Sequence, residues 1–146
     1  MPRAASSGRR ELFVDTSAWI PLLLKRHADH SRVRTVLLKA VRVGGRAVTT
    51  NLVLAETFTF LRYRGHFEVA LQFIRAVRKP PNIVVTSTEE LEQRAAMDWL
   101  QRFEDQDFSF TDSVSFAVMQ DRGITRALTL DHHFLAAGFE VVPSAG

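Results

Sequence analysis

Five short apolar runs, at 11–14, 47–50, 83–85, 127–130 and 139–142, alternate along the chain with segments whose apolar residues recur at helical spacing. Such runs suit strands buried on both faces, and strands separated by helices pair in parallel because every connection must cross over. After the first run, Thr16 and Ser17 are placed to cap a helix, where Pro21 is tolerable only near the first turn. Val33, Val36, Leu37, Ala40 and Val41 form the stripe of a second helix, which Gly44-Gly45 stops. Asn51 is placed to cap a third, with Leu52, Ala55 and Thr59 on its inner face and Gly65 at its end. Phe67, Ala70, Phe73, Ile74 and Val77 mark a fourth, closed by Lys79-Pro80-Pro81. Ser87 with Glu90 is a capping-box signature ahead of Leu91, Ala95 and Trp99. Residues 104–110 read as a loop, with Thr111 the N-cap of a helix running to Gly123. The expected fold is α/β, a three-layer α/β/α sandwich around a mostly parallel sheet of four to five strands.

No linker or repeat interrupts the chain after residue 10, so residues 11–146 are expected to form a single domain. A chain of this length buries roughly two thirds of its unfolded surface, and eleven Phe supply ample core material. Residues 1–10 are polar and basic, without the apolar stretch of a secretory signal, and are expected to be a disordered basic arm. The longest aliphatic run, Leu22 to Leu24, is far short of the ~20 residues of a membrane span. Cysteine is absent, which excludes disulfides, thiolate zinc sites and Cys nucleophiles and suits a reducing, cytoplasmic setting. The net charge of +3 does not by itself argue for nucleic acid. All its cations except Lys25, Lys39 and Lys79 are arginine, which favours bidentate phosphate contacts but is also what a GC-rich coding bias produces.

Ligands of open α/β sheets bind outside the carboxyl ends of the strands. Asp15 and Asp131 each follow a strand directly, and Asp112 opens a helix just after the 104–110 loop. Glu56 lies in the second turn of the helix after strand two, where an inward-facing side chain would reach the same edge. Each has an ordinary alternative: a helix cap for Asp15 or Asp131, a favourable dipole contact for Asp112, a solvated face for Glu56. Glu56 nevertheless sits among Leu52, Val53, Leu54, Ala55, Phe58 and Phe60. Four acids at one edge repel and raise one another's pKa values, and a hard divalent cation relieves that repulsion.

Leu12-Phe-Val-Asp15-Thr-Ser-Ala18, Leu54-Ala-Glu56-Thr57, Phe108-Ser-Phe-Thr-Asp112 and Leu128-Thr-Leu-Asp131 resemble the four acidic motifs of PIN-domain nucleases. The order and spacing match from about residue 11 to 143, and among PIN domains the chain is most similar to the VapC-type toxins of toxin–antitoxin pairs. The resemblance implies an endoribonuclease that hydrolyses RNA phosphodiesters with Mg²⁺ or Mn²⁺. Asp15, Glu56, Asp112 and Asp131 would hold the metal, directly or through water, with Ser17 and Thr111 orienting ligands beside them. It also implies a cognate antitoxin and a homodimer. Asp107 stands where some relatives carry an extra acid, with a plain loop role as the alternative. A non-catalytic PIN-like module for RNA binding or protein docking is the rival reading, and the intact acid set argues against it.

Two other strand-end aspartate chemistries fail on named residues. A haloacid-dehalogenase-like phosphatase needs a second Asp where Ser17 stands, and a phosphoacceptor receiver domain needs a late lysine, whereas none follows Lys79. His132 and His133 are adjacent and expected to point different ways, and no third imidazole has zinc-like spacing to them. One of them contacting a phosphate is the alternative. Trp19 and Trp99 are expected in the core or an interface. Arg62, Arg64, Arg75 and Arg78 complement helix C-termini or track phosphates.

Overall fold

A computed structural model describes residues 10–144. Residues 1–9, most of the expected basic arm, lie outside the described residues. The architecture is the expected three-layer sandwich. Its sheet has the order β3-β2-β1-β4-β5. β1 is Glu11–Val14, β2 Arg46–Thr50, β3 Ile83–Thr86, β4 Arg126–Leu128 and β5 Glu140–Val142, and every neighbouring pair is parallel. The central strand carries an unbroken apolar run, Leu12, Phe13 and Val14, because helices cover both its faces.

Helices α1 (Thr16–Leu23) and α2 (His30–Arg42) carry the chain from β1 to β2, and α3 (Asn51–Tyr63) with α4 (Phe67–Ala76) from β2 to β3. The crossover from β3 to β4 runs through a 3₁₀ turn at Glu89–Leu91, α5 (Glu92–Ala95), a π-helical stretch Ala96–Gln101 and α6 (Phe110–Arg122). The short α7 (His133–Ala136) joins β4 to β5. The chain therefore builds outward from β1 on one side and returns to its other side with β4. The point of reversal lies between the carboxyl ends of β1 and β4, where sheets of this kind open a crevice.

Several helix starts differ from expectation. Thr50, not Asn51, caps α3, its hydroxyl accepting the Val53 amide at 3.0 Å. Thr88, not Ser87, precedes the 3₁₀ turn, and its hydroxyl donates to Glu92. The inner face of α3 is Val53, Leu54, Thr57 and Leu61; Leu52 is half-buried, and Ala55 and Thr59 are exposed. Starting α3 directly at the end of β2 sets the rotation of the helix, and with it the face turned to the sheet.

Both tryptophans are buried, as expected, and Trp99 anchors an aromatic cluster. Its ring lies 5.0 Å from Phe116, which in turn meets Phe108 and Phe134 edge-on at 4.9 Å each. At the amino end of the sheet the buried Glu11 accepts two bonds from Arg122, at 3.0 and 2.7 Å, and one from Arg46 at 2.7 Å. Gly45 is needed beside it, since an added Cβ would meet the carbonyl oxygens of Ala40 and Arg10 at 2.7 and 2.8 Å.

Candidate active site

Asp15 leaves β1 in an extended conformation and caps α1. It is 3% exposed. Its Oδ2 accepts the Ser17 hydroxyl at 2.9 Å, the Thr129 hydroxyl at 3.0 Å and, more weakly, the Ser17 amide at 3.4 Å. A hydroxyl has one hydrogen, so with both donating to Asp15 each turns a lone pair elsewhere. The Leu130 amide donates to Ser17 Oγ and the Asp131 amide to Thr129 Oγ1, both at 2.9 Å. One carboxylate thereby fixes the backbone that leads out of β4 into Asp131. The Asp15 amide adds a bond to the Leu128 carbonyl.

Asp112 sits at the third position of α6, in a capping box with Ser109: the Asp112 amide donates to Ser109 Oγ at 3.0 Å, and the Ser109 amide to Asp112 Oδ2 at 3.2 Å. The cap is Ser109, two residues ahead of the expected Thr111. Thr111 is half-buried, and its hydroxyl makes no hydrogen bond among the described residues. Asp131 is half-buried, and its Oδ1 accepts the His133 amide at 2.9 Å.

The acids sense one another. Burial pushes the Asp15 carboxyl up to about 6 from an ordinary 3.8; the Ser17 hydrogen bond opposes that rise, and the Asp112 charge adds to it. Burial likewise raises Asp112, against the Ser109 amide and with the Asp131 charge. In each carboxylate the hydrogen bonds converge on one oxygen: Oδ2 of Asp15, Oδ2 of Asp112 and Oδ1 of Asp131. The other oxygen of each takes no such bond among the described residues. Asp112 thus feels Asp131 and is felt by Asp15, and carboxylates, each anchored by one oxygen, are the donor type that a hard divalent cation takes.

Glu56 is on the exposed side of α3 and makes no side-chain hydrogen bond among the described residues. It stands one strand over from Asp15, because α3 starts where β2 ends. Asp107 is exposed in the loop before α6.

Two contributors escaped the sequence reading, and His133 entered it only with a phosphate contact as its alternative. Thr129, Ser109 and His133 are residues of common types, and only the tertiary fold shows what they touch. His132 and His133 do not diverge as expected: their ring centroids lie 4.5 Å apart, with side chains 85% and 19% exposed, and His133 turns in among the acids. Ligand atoms of Asp131, His132 and His133 all lie within 4.8 Å of one another. The His132 ring of that triad is largely in solvent, its Nδ1 3.9 Å from Asp131.

The family model of the PIN domain matches residues 12–140. The chain is 37% identical over 134 residues to the 23S rRNA-specific endonuclease VapC20 of two strains of Mycobacterium tuberculosis, covering 90% of this chain and 98% of the relative. It is also similar to the crystal structure of Mycobacterium tuberculosis VapC20, described as a toxin cleaving the sarcin–ricin loop. That match has a TM-score of 0.78 and 34% identity, over 88% of this chain and 95% of the other.

Proposed function

The chain belongs to the PIN-domain family, and from that premise we propose that it is the endoribonuclease toxin of a toxin–antitoxin pair, acting on a loop of ribosomal RNA. The observation that carries the reading is the anchoring of Asp15, Asp112 and Asp131, each by one oxygen, at the β1/β4 switch point. The substrate is proposed from the relative, whose described target is the sarcin–ricin loop of 23S rRNA.

Asp15, Asp112 and Asp131 would hold Mg²⁺ or Mn²⁺, with Glu56 approaching from α3. When bound, such a cation supplies charge neutralisation at the phosphodiester and lowers the pKa of water. The chain's own part is positional. Ser17 and Thr129 hold Asp15 and the β4 exit as one unit, while Ser109 holds Asp112 at the mouth of α6. Burial makes Asp15 and Asp112 costly as free anions and so favours their pairing with a cation. Thr111, at the same helix mouth, would orient water rather than a carboxylate.

An antitoxin has a surface to take. An apolar groove of about 620 Å³ between α1, α4 and β3 is lined by Trp19, Leu23, Val69, Phe73, Val77 and Ile83, and the apolar face of an amphipathic segment fits such a groove. Tyr63 and Phe67, exposed at the α3–α4 corner, offer apolar area for a homodimer. No helix among the described residues is long and apolar enough to cross a membrane. The cytoplasm, where ribosomes are, is the proposed location.

The test is incubation of the purified protein with a synthetic sarcin–ricin loop RNA and with whole ribosomal RNA, in Mg²⁺, in Mn²⁺ and in EDTA, beside Asp15→Asn. Cleavage that needs the cation and is lost in the variant supports the reading. Cleavage of other RNA but not of the loop overturns the substrate alone. No cleavage, with no cation-dependent rise in melting temperature, leaves a docking module.

A further inference from the structure

His133 is the first residue of α7, and it reaches two acids from different parts of the chain. Its Nδ1 lies 3.1 Å from Asp112 Oδ2 and 3.3 Å from Asp131 Oδ1. With a carboxylate oxygen at hydrogen-bond distance, Nδ1 carries the proton and donates it to Asp112 Oδ2, while Asp131 Oδ1 stands beside it as an ion-pair neighbour. The backbone amide of the same residue also donates to Asp131 Oδ1, at 2.9 Å. The ring is fixed in turn: Phe108, itself buried, meets it edge-on with centroids 5.6 Å apart.

The two oxygens that His133 grips are those already anchored, Oδ2 of Asp112 and Oδ1 of Asp131. Its contacts therefore leave Asp112 Oδ1 and Asp131 Oδ2 facing away from the clamp. The two carboxylates stand on separate elements and the Asp131 charge acts on Asp112, so a donor set beside both offsets their repulsion.

We propose that His133 is a positioning residue of the cation site, its Nδ1–H on Asp112 and its backbone amide on Asp131 tying the two acids so that their free oxygens stand ready for one ion. The proposal rests on the reading of these aspartates as cation ligands. It assigns the imidazole a role through the carboxylates and not on the ion itself. Outer partners that orient ligands in this way typically alter metal affinity by roughly 10- to 100-fold.

The side chains of Asn and Gln separate this role from others. Asn carries its amide nitrogen as far from Cβ as Nδ1 lies, so His133→Asn keeps the donor and loses the far side of the ring. His133→Gln places a donor near the position of Nε2 instead. Mn²⁺ affinity of the full chain is measured by calorimetry for the wild type and for His133→Ala, His133→Asn, His133→Gln and Asp15→Asn, with cation-free melting temperatures to check folding.

The expected result is a loss of roughly 10- to 100-fold in His133→Ala and His133→Gln, with His133→Asn close to wild type. Undiminished affinity in His133→Ala overturns the proposal, as does a loss in His133→Asn equal to that in His133→Ala, or rescue by Gln alone. Should the alanine variant fail to fold, the Asn–Gln contrast decides. Nitrogen coupling to bound Mn²⁺ in electron spin echo spectra, lost in His133→Ala, would place the ring on the ion and also overturn it. A wild type that binds no Mn²⁺ overturns the cation reading itself. Binding that Asp15→Asn abolishes and His133→Ala leaves intact overturns only this inference.

Discussion

Thr129 Oγ1 lies 3.0 Å from Asp15 Oδ2, joining residues 114 positions apart in sequence through a buried hydroxyl and a buried carboxylate. The same hydroxyl accepts the Asp131 amide, so two of the candidate ligands are linked through one oxygen atom. Replacing it with Val keeps the shape and leaves that amide and the carboxylate short of a partner. Thr129→Val should cost about 1–3 kcal/mol of stability and weaken cation affinity about tenfold or more. Denaturant melts and Mn²⁺ calorimetry read the two losses separately, and a stability loss with normal affinity would detach Thr129 from the site.

Asp15→Asn removes a charge that burial disfavours, yet it removes a proposed ligand too. At pH 7 without cations the variant should be at least as stable as the wild type, while RNA cleavage falls by about a hundredfold or more. Activity that survives this substitution would move the chemistry elsewhere.

The pH dependence follows from the raised Asp15 carboxyl. Its folded value of about 6 stands above the ordinary 3.8, so the folded state holds the proton more tightly than the unfolded chain. The resulting stabilisation is complete below about 4 and is lost as pH rises through about 6, and its full size is on the order of 3 kcal/mol. In EDTA, the wild type should therefore gain melting temperature relative to Asp15→Asn as pH falls from 7 to 5. Parallel curves for the two proteins would contradict the assignment.

Glu56 gives a cleaner separation of activity from stability, because it is exposed and without side-chain hydrogen bonds among the described residues. Glu56→Gln should stay within about 0.5 kcal/mol of wild-type stability while cleavage drops. Unchanged cleavage would remove Glu56 from the ligand set.

At the far end of the sheet, Arg122→Ala leaves the buried Glu11 with Arg46 alone. A loss of about 3 kcal/mol is expected, with Mn²⁺ affinity unchanged. A large fall in affinity would show that the two ends of the sheet are coupled.

The strands and their order of use were legible because β1, β2 and β4 are buried apolar runs, and such runs have few other ways to fold. The placing of three of the acids followed for a related reason: Asp15 comes directly after β1 and Asp112 near a helix start, while Asp131 stands three residues past β4, which ends at Leu128 and not at the expected Leu130. The caps were misjudged by one or two residues at Thr50, Thr88 and Ser109. Asn, Ser and Thr all cap well, and which of them does so depends on where the backbone enters the helix. The exposed setting of Glu56 depends on the rotation of α3, which its mixed apolar sequence does not specify. Thr129 and His133 were illegible as site residues, since their partners lie far away in sequence or on another element.

The bond across 114 positions also sets the order in which the site can assemble. A nascent chain presents Asp15 long before it holds either the hydroxyl that steadies Asp15 or Asp131 itself. No product that ends before residue 131 contains the whole constellation, so the proposed cation site is absent from every such fragment.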